Sequence, residues 1–307
     1  MTYFSHEITQ YKKLREVNEQ GLPFIAPLGF KRRALPLFLE GFVHAFRVES
    51  DLVKAKKIYA KVKGSALFDK KLKMYRVNAD LSKESSEIGR ARIFPAGWLE
   101  NQSIWIHMEY KFLLELLRCG LYKEFYQDLP NTLVPFLNPQ KYGRSILENS
   151  SFIVSSAHEN PNIHGRGYVA RLSGSTAEFL HIWLVMNMGL KPFYLDCQGK
   201  LVFALKPILS KKLFATKPTV IRFLTKNNHW EDVTLAENTY AFNFMASTLV
   251  VYHNPKRINT FDSQAKIQKI LCTYYGGKKK EIVGGVISSP HAQDVRSGCV
   301  KQMDVFF

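Results

Sequence analysis

The hydrophobic pattern of this 307-residue chain changes character near residues 190–200, and that change constrains the fold more than any other feature. Upstream, apolar residues recur at helical spacing. Ile104, Trp105, Met108, Phe112, Leu113, Leu116, Leu117 and Leu121 stay close to one helical face, with Ser103 placed as a cap and Gly120 near the end. A second helix is expected from Lys123 into the 130s, broken by Pro130 and Pro135. A third runs from Thr176 to Met188 and stops at Gly189. Residues 35–62 read as a further helical stretch, and residues 64–98 as a long polar excursion, uncommon unless functional.

Downstream, apolar residues fall into short runs: Leu201–Leu205, Val220–Thr225, Ala241–Phe244, Thr248–Tyr252, Ile267–Tyr275 and Met303–Phe307. Asn227-Asn228, Asn254-Pro255 and Gly276-Gly277 supply turn signals between them. Serial short strands without intervening helices predict an antiparallel β-sandwich. At a prior of ~150 residues per domain, two domains are expected. The pattern divides the chain into helices over 1–195 and a sandwich over 196–307.

Hydrophobic residues at 46% suffice for packed cores, and 22% charged residues argue against disorder. No apolar run approaches the ~20 residues of a membrane span, and Met1–Ile8 lacks the order of a signal peptide. Cys119, Cys197, Cys272 and Cys299 are scattered, with no metal-binding spacing, as expected of reduced thiols in a cytoplasmic protein. The net charge of +17 raises the question of nucleic acid. The excess is mostly lysine, spread over several short runs outside any nucleic-acid motif, so solvated faces and general attraction for small anions are the favoured reading.

The best candidate for chemistry is Arg171-Leu-Ser-Gly-Ser-Thr-Ala-Glu178. Ser175 and Glu178 fit a capping box that starts a helix at Thr176. Ser173 and Gly174 then occupy the preceding turn, where free N–H groups and the helix dipole favour an anion. Arg166 and Arg171 can add guanidinium groups that match phosphate geometry. The plainer alternative is an ordinary helix cap with surface arginines. His107, one turn into its helix, reads first as a packed or hydrogen-bonded imidazole, with a ligand contact as the alternative. Glu100 and Asn101 are helix-start residues that can reach a ligand, and the hydroxyl-rich stretch Glu148–Ser156 can line a sugar site. Among the tryptophans, Trp98 precedes a helix and is the candidate for stacking on a sugar, whereas Trp105 and Trp183 fall on core stripes.

The run Glu100-Asn-Gln-Ser-Ile-Trp-Ile-His107 resembles the Glu-Asn-Gly…His segment of inverting disaccharide phosphorylases of the cellobiose phosphorylase type (glycoside hydrolase family 94). Arg171-Leu-Ser-Gly-Ser-Thr-Ala177 is similar to that family's Leu-(Ser/Thr)-Gly-Thr-Ala turn, and Leu201–Pro207 to the start of its C-terminal sandwich. Order and approximate spacing agree over residues 95–307. Related phosphorylases of β-glucan oligosaccharides carry similar segments.

The resemblance implies the closing helices of an (α/α)6 barrel followed by a β-sandwich. It implies hexosyl transfer from a β-linked gluco-oligosaccharide to inorganic phosphate, giving a sugar 1-phosphate of inverted configuration with no other cofactor or metal. His107 would contact phosphate, with Ser173 and Gly174 as its cradle. The family's general acid is an aspartate in a Gly-Asp-Trp-Asn-Asp-like motif that does not occur here; Asp51, Asp69 and Asp80 stand in other contexts. The chain is therefore expected to be inactive alone, a piece of a longer or split enzyme that needs the missing N-terminal half or forms a homo-oligomer. The alternative is a non-catalytic carbohydrate- or phosphate-binding remnant of the family.

Overall fold

A computed structural model describes residues 3–170 and 174–307, and the chain separates into two compact units, Met1–Phe179 and Leu180–Phe307. The first unit opens with a long hairpin, β1 (Phe4–Val17) and β2 (Pro23–Ala34). Helices α1 (Leu39–Val48) and α2 (Leu52–Lys63) follow, then the short pair β3 (Phe68–Asp69) and β4 (Met74–Tyr75). Next come β5 (Ile104–Trp105), α3 (Ile106–Arg118), α4 (Tyr122–Thr132), α5 (Pro139–Tyr142), β6 (Phe152–Ile153) and β7 (Gly167–Tyr168). Helix α6 (Ser175–Met188) spans the boundary between the units. The change in hydrophobic pattern near 195 therefore lies beyond the structural boundary. The last turn of α6 explains the offset, because Met186 and Met188 accept backbone hydrogen bonds from Ile208 and Lys206 of the second unit.

Helix α3 is the core of the first unit. Its side chains from Tyr110 and Phe112 to Leu117 are buried around nearly the whole circumference, as in a helix enclosed by neighbours. Phe46 of α1 meets Phe112 edge-on at 5.6 Å, and Glu115, almost fully buried, is held by Arg47 at 2.8 Å and Arg118 at 2.7 Å. Gly120 ends the helix with φ +77°. Its N–H bonds the Leu117 carbonyl and that of Leu121 the Leu116 carbonyl, the paired pattern of a left-handed C-terminus that favours glycine. The start departs from expectation. Ser103 does not cap α3; its hydroxyl donates to the Leu99 carbonyl, and the first helical N–H, of Ile106, bonds the Ser151 carbonyl instead.

The excursion over 64–98 contains β3, β4 and two single-turn 3-10 segments, tied down by Asp69. Its carboxylate accepts from the N–H groups of Lys71, Leu72 and Ser156 and from the Ser156 hydroxyl, with Arg76 at 3.3 Å. Burial alone would raise the Asp69 pKa; those hydrogen bonds and Arg76 outweigh it and hold the group below the usual carboxylate value.

The second unit contains β8 (Phe193–Leu195), β9 (Leu201–Ala204), β10 (Thr219–Leu224), β11 (Trp230–Leu235), β12 (Thr239–Phe244) and β13 (Thr248–His253). β14 (Lys269–Tyr274), β15 (Lys279–Val283), β16 (Val286–Ser288), the short helix α7 (His291–Arg296) and β17 (Val300–Phe306) complete it. A five-stranded sheet runs β12-β13-β17-β14-β15, a three-stranded sheet β16-β9-β8, and β10 pairs with β11. The pairings are antiparallel, as the strand pattern predicts, with one exception: β17 runs parallel to β13, placed between β13 and β14.

Opposed residues share a face, so the register sorts the layers. Phe242 opposes Val250 and Phe244 opposes Thr248, which puts Phe242, Phe244 and Tyr252 on one face of the large sheet. Phe193 and Phe203 of the small sheet meet Phe244 there. Leu249, Val251 and Ala241 point the other way and are covered by Phe223 and Leu235 of the β10–β11 hairpin. Covered on both sides, β13 reads as a continuous apolar run without alternation. No described helix is long and apolar enough to cross a membrane.

Candidate functional site

The heads of α3 and α6 are set by one small sheet. Its order is β5-β6-β7, so β5 and β7 flank β6. β5 leads straight into α3, and the segment after β7 leads into α6. The Ser151 hydroxyl accepts from the Ala170 N–H, and the Ser151 N–H bonds the Tyr168 carbonyl, fastening that segment to the sheet. Asn149 links the two helices: it accepts from the Tyr110 hydroxyl at 2.9 Å and donates to the Thr176 hydroxyl at 3.3 Å.

His107, the second residue of α3, meets Gly174 across this junction. A Cβ on Gly174 would lie 2.7 Å from Nε2 and 3.0 Å from both Cδ2 and Cε1. Such near-equal distances place it over the ring face, since an edge approach to Nε2 would leave the carbons much farther away. Only glycine lets the backbone come this close.

The Glu178 carboxylate stands 3.6 Å from Nε2, an approach longer than a hydrogen bond, with both side chains largely shielded. Burial and Lys111, one turn along α3, lower the His107 pKa from 6.5, while Glu178 opposes them. The imidazole is therefore held neutral at pH 7, with Glu178 favouring its proton on Nε2. The starts of α3 and α6 and the imidazole meet here beside the Glu178 carboxylate, and Lys111 acts on the imidazole from one turn along α3.

The capping box takes a different form. Gly174 occupies the capping position, its carbonyl accepting from the Glu178 N–H, and the Ser175 hydroxyl turns to the Ser150 carbonyl. Glu178 faces His107 across the junction. Arg171 and Ser173 lie outside the described residues.

The other sequence candidates are placed elsewhere. Arg166 is exposed, its side chain beside Gly143. Glu148 pairs with Arg144 at 2.7 Å on the surface. The carboxylate of Glu100 meets Arg90 at 3.2 Å, and its carbonyl accepts from Asn78. Asn101 closes a tight turn, donating to the Phe94 carbonyl, and its buried Oδ1 has no hydrogen-bond partner among the described residues. Trp98 belongs to an aromatic cluster with Tyr168 at 4.8 Å, Phe152 at 5.1 Å and His158 at 5.9 Å, while Trp105 stacks on Phe152.

Sequence reasoning missed Lys111 and the role of Glu178. The four-residue spacing from His107 to Lys111 marks them as neighbours on one helical face; nothing in the sequence marks the Glu178 contact, which depends on how two distant helices meet. No cluster of His, Cys, Asp and Glu among the described residues could hold a metal ion. No family model and no curated protein sequence matches the chain.

Proposed function

We propose that the chain is the C-terminal portion of an inverting glycoside phosphorylase, contributing the phosphate side of the site. The observation that carries this reading is the packing of Gly174 on the face of His107, between the starts of α3 and α6. Phosphate bound there accepts hydrogen bonds from the imidazole and from N–H groups at the head of α6, with Lys111 adding charge. One phosphate oxygen attacks the anomeric carbon of a β-linked gluco-oligosaccharide. The glycosidic bond breaks, and the leaving oxygen takes a proton from an acid supplied by the upstream half of the enzyme. The helices of the first unit would then close an (α/α)6 barrel, and the sheets of the second would form the family's sandwich.

Sulfate, dianionic over the working range, tests the site. Burial lowers the His107 pKa, and a bound anion must raise it, so binding takes up a proton. Affinity should therefore strengthen as pH falls from 6.5 through the lowered pKa, and His107→Gln should flatten that response. Gly174→Ala should weaken binding by forcing the ring aside. Titration calorimetry that finds no sulfate binding, or binding indifferent to both substitutions, removes the site.

Co-expression with an upstream segment carrying the aspartate motif should yield sugar 1-phosphate from β-glucan oligosaccharides. A second reading, a phosphate-binding remnant without catalysis, draws on Glu178, a carboxylate that an arriving anion has to displace. Sulfate binding with no phosphorolysis in any pairing would favour it.

A further inference from the structure

Among the described residues the hairpin β1–β2 pairs only with itself, and an isolated two-stranded hairpin is marginally stable in water. Its link to the rest of its unit is at the base, where Tyr3 meets Phe38 and Glu40 and Arg33 meets Glu84. Along its length the register places apolar residues on one face. Ile8 opposes Phe30, Tyr11 opposes Pro27, and Ile25 opposes Lys13. Two compensating irregularities, between Ile8 and Gln10 and between Gln10 and Tyr11, each displace the alternation by one residue. They bring Tyr11, at an odd position, round to the face of Phe4 and Ile8, at even ones. Phe4, Ile8, Tyr11, Val17, Ile25 and Phe30 are each 42–59% exposed. The same face also bears His6, Lys13 and Arg32, with the Arg32 guanidinium over the Phe4 ring, and the opposite face carries Lys31, the Glu7–Arg33 ion pair and the exposed Leu14, Phe24 and Leu28.

We propose that this face is a dimer interface and that its occupant is the same face of a second copy of this chain. The six side chains expose on the order of 700 Å², close to the ~800 Å² per partner of a standard interface. An apolar stripe meeting itself about a two-fold axis is self-complementary. Two hairpins stacked face to face make a two-layer, four-stranded core and supply the packing that a lone hairpin lacks. Edge-to-edge association is disfavoured by Pro23 and Pro27 on β2 and by Lys12, Lys13 and Arg15 on β1.

The full chain in sedimentation velocity should show twice the 35.3 kDa chain mass and dissociate on dilution. Hydrogen exchange at the β1 and β2 amides should slow as protein concentration rises, a readout that needs no variant. Ile8→Lys and Phe30→Lys should each raise the dimer Kd by roughly tenfold or more, whereas Phe30→Leu and Glu7→Gln should leave it nearly unchanged. A monomer at every concentration overturns the proposal. So does a dimer indifferent to both lysine variants, or a monomer that instead co-floats with phosphatidylglycerol vesicles.

Discussion

The hairpins β1–β2 and β10–β11 are built from the same motif and have opposite fates. In β10–β11 the register is unbroken over six residue pairs, so one face points inward and buries Phe223 and Leu235 against Leu249 and Val251. In β1–β2 the register shifts three times, and the apolar residues it gathers stay about half exposed, with no further strand paired to the hairpin among the described residues. Local pairing does not decide which hairpin is stable; the layer beneath it does. Where β13 supplies that layer the hairpin is part of a core, and where no layer exists it is an arm.

Substitutions of like kind on the two hairpins sharpen the contrast. Phe223→Ala should have the largest effect, a loss of about 3–5 kcal/mol in urea unfolding of the second unit, because the cavity opens between two sheets. If it proves as mild as a surface change, the packed hairpin is not packed. Ile221→Ala, only partly buried beside it, should cost about 1–2 kcal/mol in the same measurement. Phe24→Ser is the smallest. That side chain is 52% exposed on β2, and its loss should change stability by no more than about 0.5 kcal/mol. A large destabilisation there would mean that β1–β2 rests on the body of its own chain after all.

The elements visible in the sequence are those whose signals are local. The apolar stripe of α3 and its glycine stop survive in the structure, as do Gly189 at the end of α6 and, within a residue or two, the strands β9, β10, β12, β13 and β14 of the second unit. β1–β2 was hidden because its bulges break the two-residue alternation that announces a strand, although Gly21, with φ +75°, marks its turn. The parallel pairing of β13 with β17 joins residues some fifty positions apart, and no local pattern encodes it. At the site, the nearness of His107 and Gly174 was expected from the family resemblance alone; the helix-start chemistry of residues 173–178 pointed only to an anion at Ser173 and Gly174. The destinations of Ser103 and Glu178 were not, since each meets a partner set by the surrounding fold.

β13 carries a consequence of its own. A strand with one wet side announces its own mistakes, because sliding by one residue turns every oily group outward. Between two dry layers, the same slide merely exchanges Leu249 and Val251 for Val250 and Tyr252. Greasiness therefore cannot hold this strand in place. The restraint falls to two hydroxyls, one near each end: Thr248 anchored to the Val300 carbonyl at 2.7 Å and Tyr252 to the Asn187 carbonyl at 2.6 Å. They act as locating pins, and a strand deprived of both would keep its burial while losing its address.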